Sequence, residues 1–318
     1  MTLVSADDLA SVVIPTYNRM SLLTQLIAPL LEDPYTGEVI IVVDGSADGS
    51  YEFIQEWSER DPRVVAIFQE NSGEAVARRA GIEASRHEVV VILDDDVVPT
   101  PGLVSGHCKW HRESENLLVV GYMPVVVPDI RRRGQIPTIL YAETYEETCR
   151  FYERDPRTIF THMWAGNLSL RRTHAIKIGS RDERRLNYHA DLKFGLQCEE
   201  IGLHPIFDRS LLANHWHSRN LRGYATDCRR SGRGRAQINH EYPDLADKDS
   251  AYISNTLKER LIAQYLAAPF VRHLSAALAM TFSYLSGWIG AWNIQKRSTR
   301  LLKLIESASG YKTYDHID

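Results

Sequence analysis

The first hundred residues repeat one pattern: a short apolar run, a polar cluster, then a stretch with helical apolar spacing. The runs are Ser11-Val12-Val13-Ile14-Pro15, Val39–Val43, Val64–Phe68 and Val89–Leu93. Apolar runs this short read as strands covered on both faces. Their alternation with helical patterns at 21–32, 51–60 and 72–85 predicts an α/β layer fold with parallel strands. Strand after strand delivers polar residues at its C-terminal end, the edge at which open α/β sheets bind ligands.

From about residue 100 the rhythm loosens. Leu117–Val127 reads as extended, 138–153 as helical and Ala165–Leu170 as strand. An amphipathic helix follows at Ala190–Ile201, ended by Gly202, then a strand at Leu211–His217 and helix throughout 250–307. Leu274–Gln295 carries no charge over 22 residues, and Lys296, Arg297, Arg300 and Lys303 follow it. One helical stripe of that segment is large and apolar (Leu274, Leu278, Phe282, Leu285, Ile289, Trp292); the other is small and polar. A two-faced helix suits packing on protein, including a homodimer partner, or peripheral membrane contact through 274–303; spanning a bilayer is the weaker reading.

Composition narrows the function classes. With 37 Lys and Arg against 41 Asp and Glu, the chain is at −4, which argues against nucleic acid held by bulk phosphate neutralisation. The four cysteines lie 41, 49 and 30 residues apart with no CxxC pair, so a reducing compartment is expected. The opening MTLVSADDLASVV is acidic where a signal peptide is basic, so the expected location is cytoplasmic, with an option of the inner membrane face.

Asp94-Asp95-Asp96 directly after a buried strand is the most informative site. Alternation puts Asp94 and Asp96 on one face, and two carboxylates so placed call for a cation; oxygen ligands suit Mg²⁺ or Mn²⁺. The competing reading is a solvated acidic turn. Asp44, at the end of the neighbouring strand, is placed to accept hydrogen bonds from a base or ribose, whereas Ser46, Asp48 and Ser50 read as turn and cap residues. His215 and His217 alternate on a strand and are candidates to complete a metal shell begun by aspartates, imidazole favouring Mn²⁺. His107-Cys108-x-x-His111 has the spacing of a zinc half-site without a second half, so it reads as a helix face. Asp191, at a helix start, is on spacing alone a cap.

Taken in order, these blocks resemble a family 2 glycosyltransferase of the GT-A fold. Ser11–Arg19 is similar to that family's first strand and nucleotide loop, which makes Pro15, Thr16, Tyr17, Asn18 and Arg19 donor-binding candidates. Val42–Ser50 resembles its acidic turn, with Asp44 on the nucleobase position and Val43 where the family has a further aspartate. Asn71-Ser72-Gly73 with Ala77–Gly81 resembles its NxG…ARNxG segment, placing Gly73 and Arg78 beside the donor. Leu93–Asp96 matches the metal-binding DxD element, with Asp96 the direct ligand, Asp94 its partner and Asp95 beside the donor. Trp164–Arg172 is similar to the GxNxxxRR element, so Gly166 and Asn167 join the donor site.

Asp182-Glu183…Asp191 resembles the FDE…ED pattern whose last aspartate is the catalytic base, with Arg181 and Ala190 replacing the usual Phe and Glu. His215-x-His217 and Arg229–Gly234 resemble the closing strand and basic helix, where Arg230, Arg233 and Arg235 near Gly232 and Gly234 either close over a diphosphate or form a solvated helix end.

The resemblance implies a GT-A-type Rossmann-like nucleotide-binding sheet flanked by helices over 1–240 and a helical C-terminal extension over 241–318. It implies inverting transfer of a sugar from a nucleotide-diphosphate donor to a hydroxyl or amine, with Asp191 as base and Mn²⁺ or Mg²⁺ on Asp96, Asp94, His215 and His217. The acceptor classes it allows are a glycan, a lipid-linked glycan or a small molecule. Alternatives are a non-catalytic nucleotide-sugar-binding partner protein and a sugar-1-phosphate nucleotidyltransferase; the glycine-rich, lysine-containing loop of the latter is missing from Pro15–Arg19.

Overall fold

The computed structural model describes residues 5, 8–127, 134–179, 188–243, 245, 261–262 and 265–314. It divides into two compact units. The first takes in residues 1–126, 145–185 and 191–216; the second takes in 127–144, 186–190 and 217–318.

The first unit is built on an eight-stranded sheet in the order β3-β2-β1-β4-β7-β6-β8-β5. Its strands are β1 (Ala10–Thr16), β2 (Thr36–Asp44), β3 (Val64–Gln69), β4 (Val89–Leu93), β5 (Val97–Pro99), β6 (Leu117–Tyr122), β7 (Asn167–Arg171) and β8 (His204–His215). The intervening helices are α1 (Met20–Glu32), α2 (Ser50–Arg60), α3 (Glu74–Ala84), α4 (Leu103–Glu113), α5 (Ile136–Arg154), α6 (Ile159–His162), α7 (Arg172–Gly179) and α8 (Ala190–Glu200), with α5 and α8 crossing the division between units.

The unbroken apolar runs of β1, β2 and β4 follow from cover on both faces. Val12, Ile14, Ile41, Val91 and Leu93 point into a core shared with α1, α2 and α4. Their neighbours Val13, Ile40, Val42, Val90 and Ile92 point into a second core shared with α3 and α7.

The parallel strands expected from the first hundred residues are found in β3-β2-β1-β4, and the rest of the sheet is mixed. β7 runs antiparallel to β4 and β6, β6 is parallel to β8, and β5 is antiparallel to β8. Direction depends on where the chain re-enters the sheet, and local apolar spacing carries no record of that. Three element bounds also differ. The strand expected at 117–127 ends at Tyr122, because Met123 and Pro124 leave the ladder. The strand expected at 211–217 starts earlier, at His204, and stops at His215. The continuous helix expected over 250–307 is broken at Gly290, whose φ of +71° is a left-handed turn that glycine adopts without strain; 250–260 lie outside the described residues.

In the second unit the helices are α9 (Leu221–Glu241), α10 (Pro269–Trp288) and α11 (Trp292–Lys312). Leu221 and Ala225 of α9, Ala276 and Ala279 of α10, and Leu302 and Ile305 of α11 form its core. Gly232 is no hinge. It lies inside α9, and a Cβ there would stand 2.0 Å from the Ser307 carbonyl oxygen; at Gly310 of α11 it would stand 1.9 Å from that of Arg229. Two backbones meet where side chains would separate them. Gly232→Ala is therefore expected to destabilise this unit by about 1–3 kcal/mol, the usual cost of overpacking, read as a lowered unfolding midpoint.

Candidate active site

Three strand ends and one strand start share an edge of the first unit. β1, β2 and β4 finish there, and β7, being antiparallel to β4, begins there with Asn167 opposite Leu93. The Asp94 amide donates to the Gly166 carbonyl at 3.1 Å, which sets Gly166 against the acidic run. A Cβ on Gly166 would lie 2.5 Å from Asp94 Oδ2, so a larger residue would displace that carboxylate.

The three aspartates have separate surroundings. Asp95 Oδ2 accepts from Thr16 Oγ1 at 2.8 Å and from the Tyr17 amide at 3.3 Å, tying it to the end of β1. Burial pushes its carboxyl up to about 6, against the hydrogen bond from Thr16. Asp96 is buried, with Oδ1 3.2 Å from His215 Nε2 and Oδ2 3.6 Å from Arg19 Nη2. The β5–β8 ladder makes that approach: Val97 pairs with His215, and the Trp216 amide donates to the Asp96 carbonyl at 2.8 Å. Asp94 is half-buried; desolvation, then the carboxylates of Glu74 and Asp191, push it well above the ordinary range, with Arg78 opposing.

Arg78 is the buried cation among these acids. Its Nη2 donates to Glu74 and to Asp191 Oδ1 at 3.3 Å, and its guanidinium lies 5.9 Å from the Phe194 ring centroid. Asp191, in the first turn of α8, accepts from the Ala165 amide at 3.2 Å through Oδ2. The carboxylate is thus held toward the Ala165–Asn167 segment while its side chain keeps 36% exposure. Asp182 and Glu183, the start of the pattern that ends in Asp191, lie outside the described residues.

The remaining expected residues frame the same edge. Pro15 pairs with Val42 within the sheet. Asn18, at a left-handed φ of +53°, receives a hydrogen bond from the Ala47 amide and donates its own to Ser46 Oγ, each at 2.9 Å. These bonds clip the β1–α1 loop to the β2–α2 loop, leaving Tyr17 52% exposed. Asp44 is buried and holds the start of α3: Oδ1 accepts from Gln69 and the Ser72 amide, and Oδ2 accepts from the Gly73 amide at 2.8 Å. His217 lies past the end of β8, in the second unit, stacked on Tyr141 with ring centroids 3.9 Å apart.

Two features escaped the motif pattern. Glu74 lies between the two blocks of the NxG…ARNxG segment; its signal is the i, i+4 spacing to Arg78 in the first turn of α3. His107 and His111 of α4, a buried helix face rather than a zinc half-site, converge on Ser169 Oγ at 2.8 Å each. His107 also meets Asn167 Oδ1 at 3.0 Å, while Asn167 Nδ2 donates to the Leu211 carbonyl at 3.0 Å. Asn167 is thereby fixed from two sides.

This network sets a pH dependence. Burial lowers His107 to about 4; burial and then His107 lower His111 to about 3. Both are neutral in the fold, whereas in the unfolded chain they take up protons near 6.5. Stability is therefore full above about 6.5 and falls toward about 4, by about 1.4 kcal/mol per pH unit for each histidine. Urea unfolding across this range should show that slope, and His107→Gln should cut it by about half.

A divalent ion fits this site by its donor set. Asp96 and His215 present a buried carboxylate oxygen and an imidazole nitrogen 3.2 Å apart. Arg19 Nη2, 3.6 Å from Asp96 Oδ2, is a protein cation that a bound ion would have to displace.

Residues 11–178 match the family model described as glycosyl transferase family 2. The chain belongs to glycosyltransferase family 2. This member is 32% identical over 117 residues to the glycosyltransferase GlyG of Streptococcus pneumoniae, covering 36% of this chain and 39% of GlyG. It is 41% identical over 100 residues to the undecaprenyl-phosphate 4-deoxy-4-formamido-L-arabinose transferase of Pseudomonas aeruginosa, covering 30% of each chain. The family 2 chain thus spans well under half the length of these curated relatives. Among solved structures, the mannosyltransferase PcManGT of Pyrobaculum calidifontis, in complex with GDP-Man and Mn²⁺, aligns with a TM-score of 0.58 at 17% identity over 95% of this chain and 86% of its own. That likeness is one of fold, the expected GT-A arrangement with C-terminal helices.

Proposed function

We propose that this family 2 protein transfers a sugar from a nucleotide-diphosphate donor to an acceptor hydroxyl or amine with inversion, and that Asp191 is the general base. The observation that carries the reading is the Asp191 carboxylate, oriented by Arg78 and the Ala165 amide beside the Gly166 and Asp94 edge. Asp191 takes the acceptor's proton as its oxygen or nitrogen bonds to the anomeric carbon from the face opposite the departing diphosphate. Arg78 holds the Asp191 carboxylate in position by hydrogen bonding. Asp44 keeps lone-pair capacity on Oδ2 for a nucleobase, and Thr16–Arg19 and Gly73 line the same strand ends.

Asp96, Asp94 and His215, with His217 two residues further along the chain, are the residues that would hold Mn²⁺ or Mg²⁺. When bound, the ion supplies positive charge for the leaving nucleoside diphosphate. The catalytic segment is taken as residues 1–240 and the helical extension as 241–318. A polyprenyl-phosphate-linked molecule, a glycan and a small hydroxylated compound are the acceptor classes, the first supported by the Pseudomonas relative's name.

Thermal-shift screening of nucleoside diphosphates with Mn²⁺ tests donor binding, since a ligand bound to the fold raises its unfolding midpoint by mass action. Release of free nucleoside diphosphate that depends on added acceptor is the expected result. Donor binding without any such release in the presence of the three acceptor classes would make the chain a binding protein.

A further inference from the structure

Helix α10 is inverted relative to an ordinary amphipathic helix. Its buried face is Ala276, Ala279, Ser283, Ser286 and Gly287, with Ser283 and Thr299 sharing a hydrogen bond of 2.7 Å. Its exposed face carries Phe270, Leu274, Phe282, Leu285, Trp288 and Ile289, from 56% to 98% accessible. A helix in water buries its large apolar side chains; small and hydroxyl residues at helix contacts with large apolar ones facing outward are the arrangement of helices in lipid.

Charge selects the occupant. Residues 269–312 hold six Lys and Arg and one Glu, net +5, so the rest of a chain at −4 is at −9. Arg272 pairs with Glu306, and Lys296 and Arg300 with Glu143, while Arg297 and Lys303 are exposed on α11. A second copy meeting this face across a two-fold axis would oppose like charges; an anionic headgroup layer complements them. Among the described residues no helix is long and apolar enough to cross a membrane, which leaves α10 lying in the interface.

We propose that the exposed face of α10, with the basic turns of α11, docks this protein onto an anionic lipid surface. Phe270, Leu274, Phe282, Leu285 and Ile289 enter the headgroup–acyl boundary, Trp288 sits at headgroup level, and Arg297 and Lys303 meet lipid phosphates. The inference stands apart from the sugar-transfer reading and uses none of its residues.

Flotation of the full chain with vesicles of phosphatidylcholine, alone or mixed with phosphatidylglycerol, tests it. Wild type should float with the mixed vesicles and less as salt rises. Phe282→Glu and Leu285→Glu, at positions already facing water, should keep the unfolding midpoint and lose about tenfold or more in partitioning. The pair Arg297→Glu and Lys303→Glu should abolish the preference for phosphatidylglycerol, and brominated lipid should quench wild-type fluorescence more than that of Trp288→Phe. Wild type remaining unbound, equal flotation of the Glu variants, or a dimer dissociated by Phe282→Glu without lipid binding would each overturn the proposal.

Discussion

Asp191→Asn should reduce turnover by about a thousandfold, within the range ascribed to a positioned acid or base, and leave donor affinity within about threefold of wild type. The substitution keeps the shape of the side chain and an oxygen to accept from Ala165 or Arg78, so the Arg78–Asp191 approach of 3.3 Å loses charge rather than geometry. What disappears is the basic lone pair. Calorimetry of donor binding beside initial-rate measurement separates the two quantities. A parallel loss of donor affinity would make Asp191 a binding residue, since an interaction present in both ground and transition state affects binding as much as rate.

Asp96→Ala should lower donor affinity in Mn²⁺ by about a hundredfold, equivalent to nearly 3 kcal/mol at 1.4 kcal/mol per tenfold. The carboxylate lost is the one beside both His215 and Arg19, so a metal ion held with His215 and the Arg19 guanidinium are rival countercharges. His215→Ala should move affinity in the same direction, and chelation of wild type should reproduce both losses. Unchanged donor affinity after chelation, with a loss in Arg19→Ala, would assign the diphosphate's countercharge to Arg19 instead. The comparison reads which cation answers the acid pair, because removing a guanidinium cannot imitate removing an ion.

Much of the site's edge was legible because it is local. Asp44 follows β2 and Asp94–Asp96 follow β4, so finding a buried apolar run was enough to locate the acids that it delivers. Gly166 and Asn167 were legible through the resemblance alone; the reasons for them, room for Asp94 and a bridge from His107 to Leu211, became visible only in three dimensions. Of the two readings of Arg230–Arg235, the helical one fits the structure, but the glycines there serve packing. Gly232 lies inside a helix, at a contact too close for a side chain.

By itself the amino-acid order determined the α/β class, the buried strands, the acidic strand ends and the two faces of α10, because periodicity and burial are properties of neighbouring residues. Tertiary structure alone decided that β7 runs against β4, that His215 faces Asp96, and that Arg78 reaches Asp191 across 113 positions. Strand direction and partner choice are settled by the joint burial of distant segments, and a pairing with large sequence separation leaves no local periodicity to read.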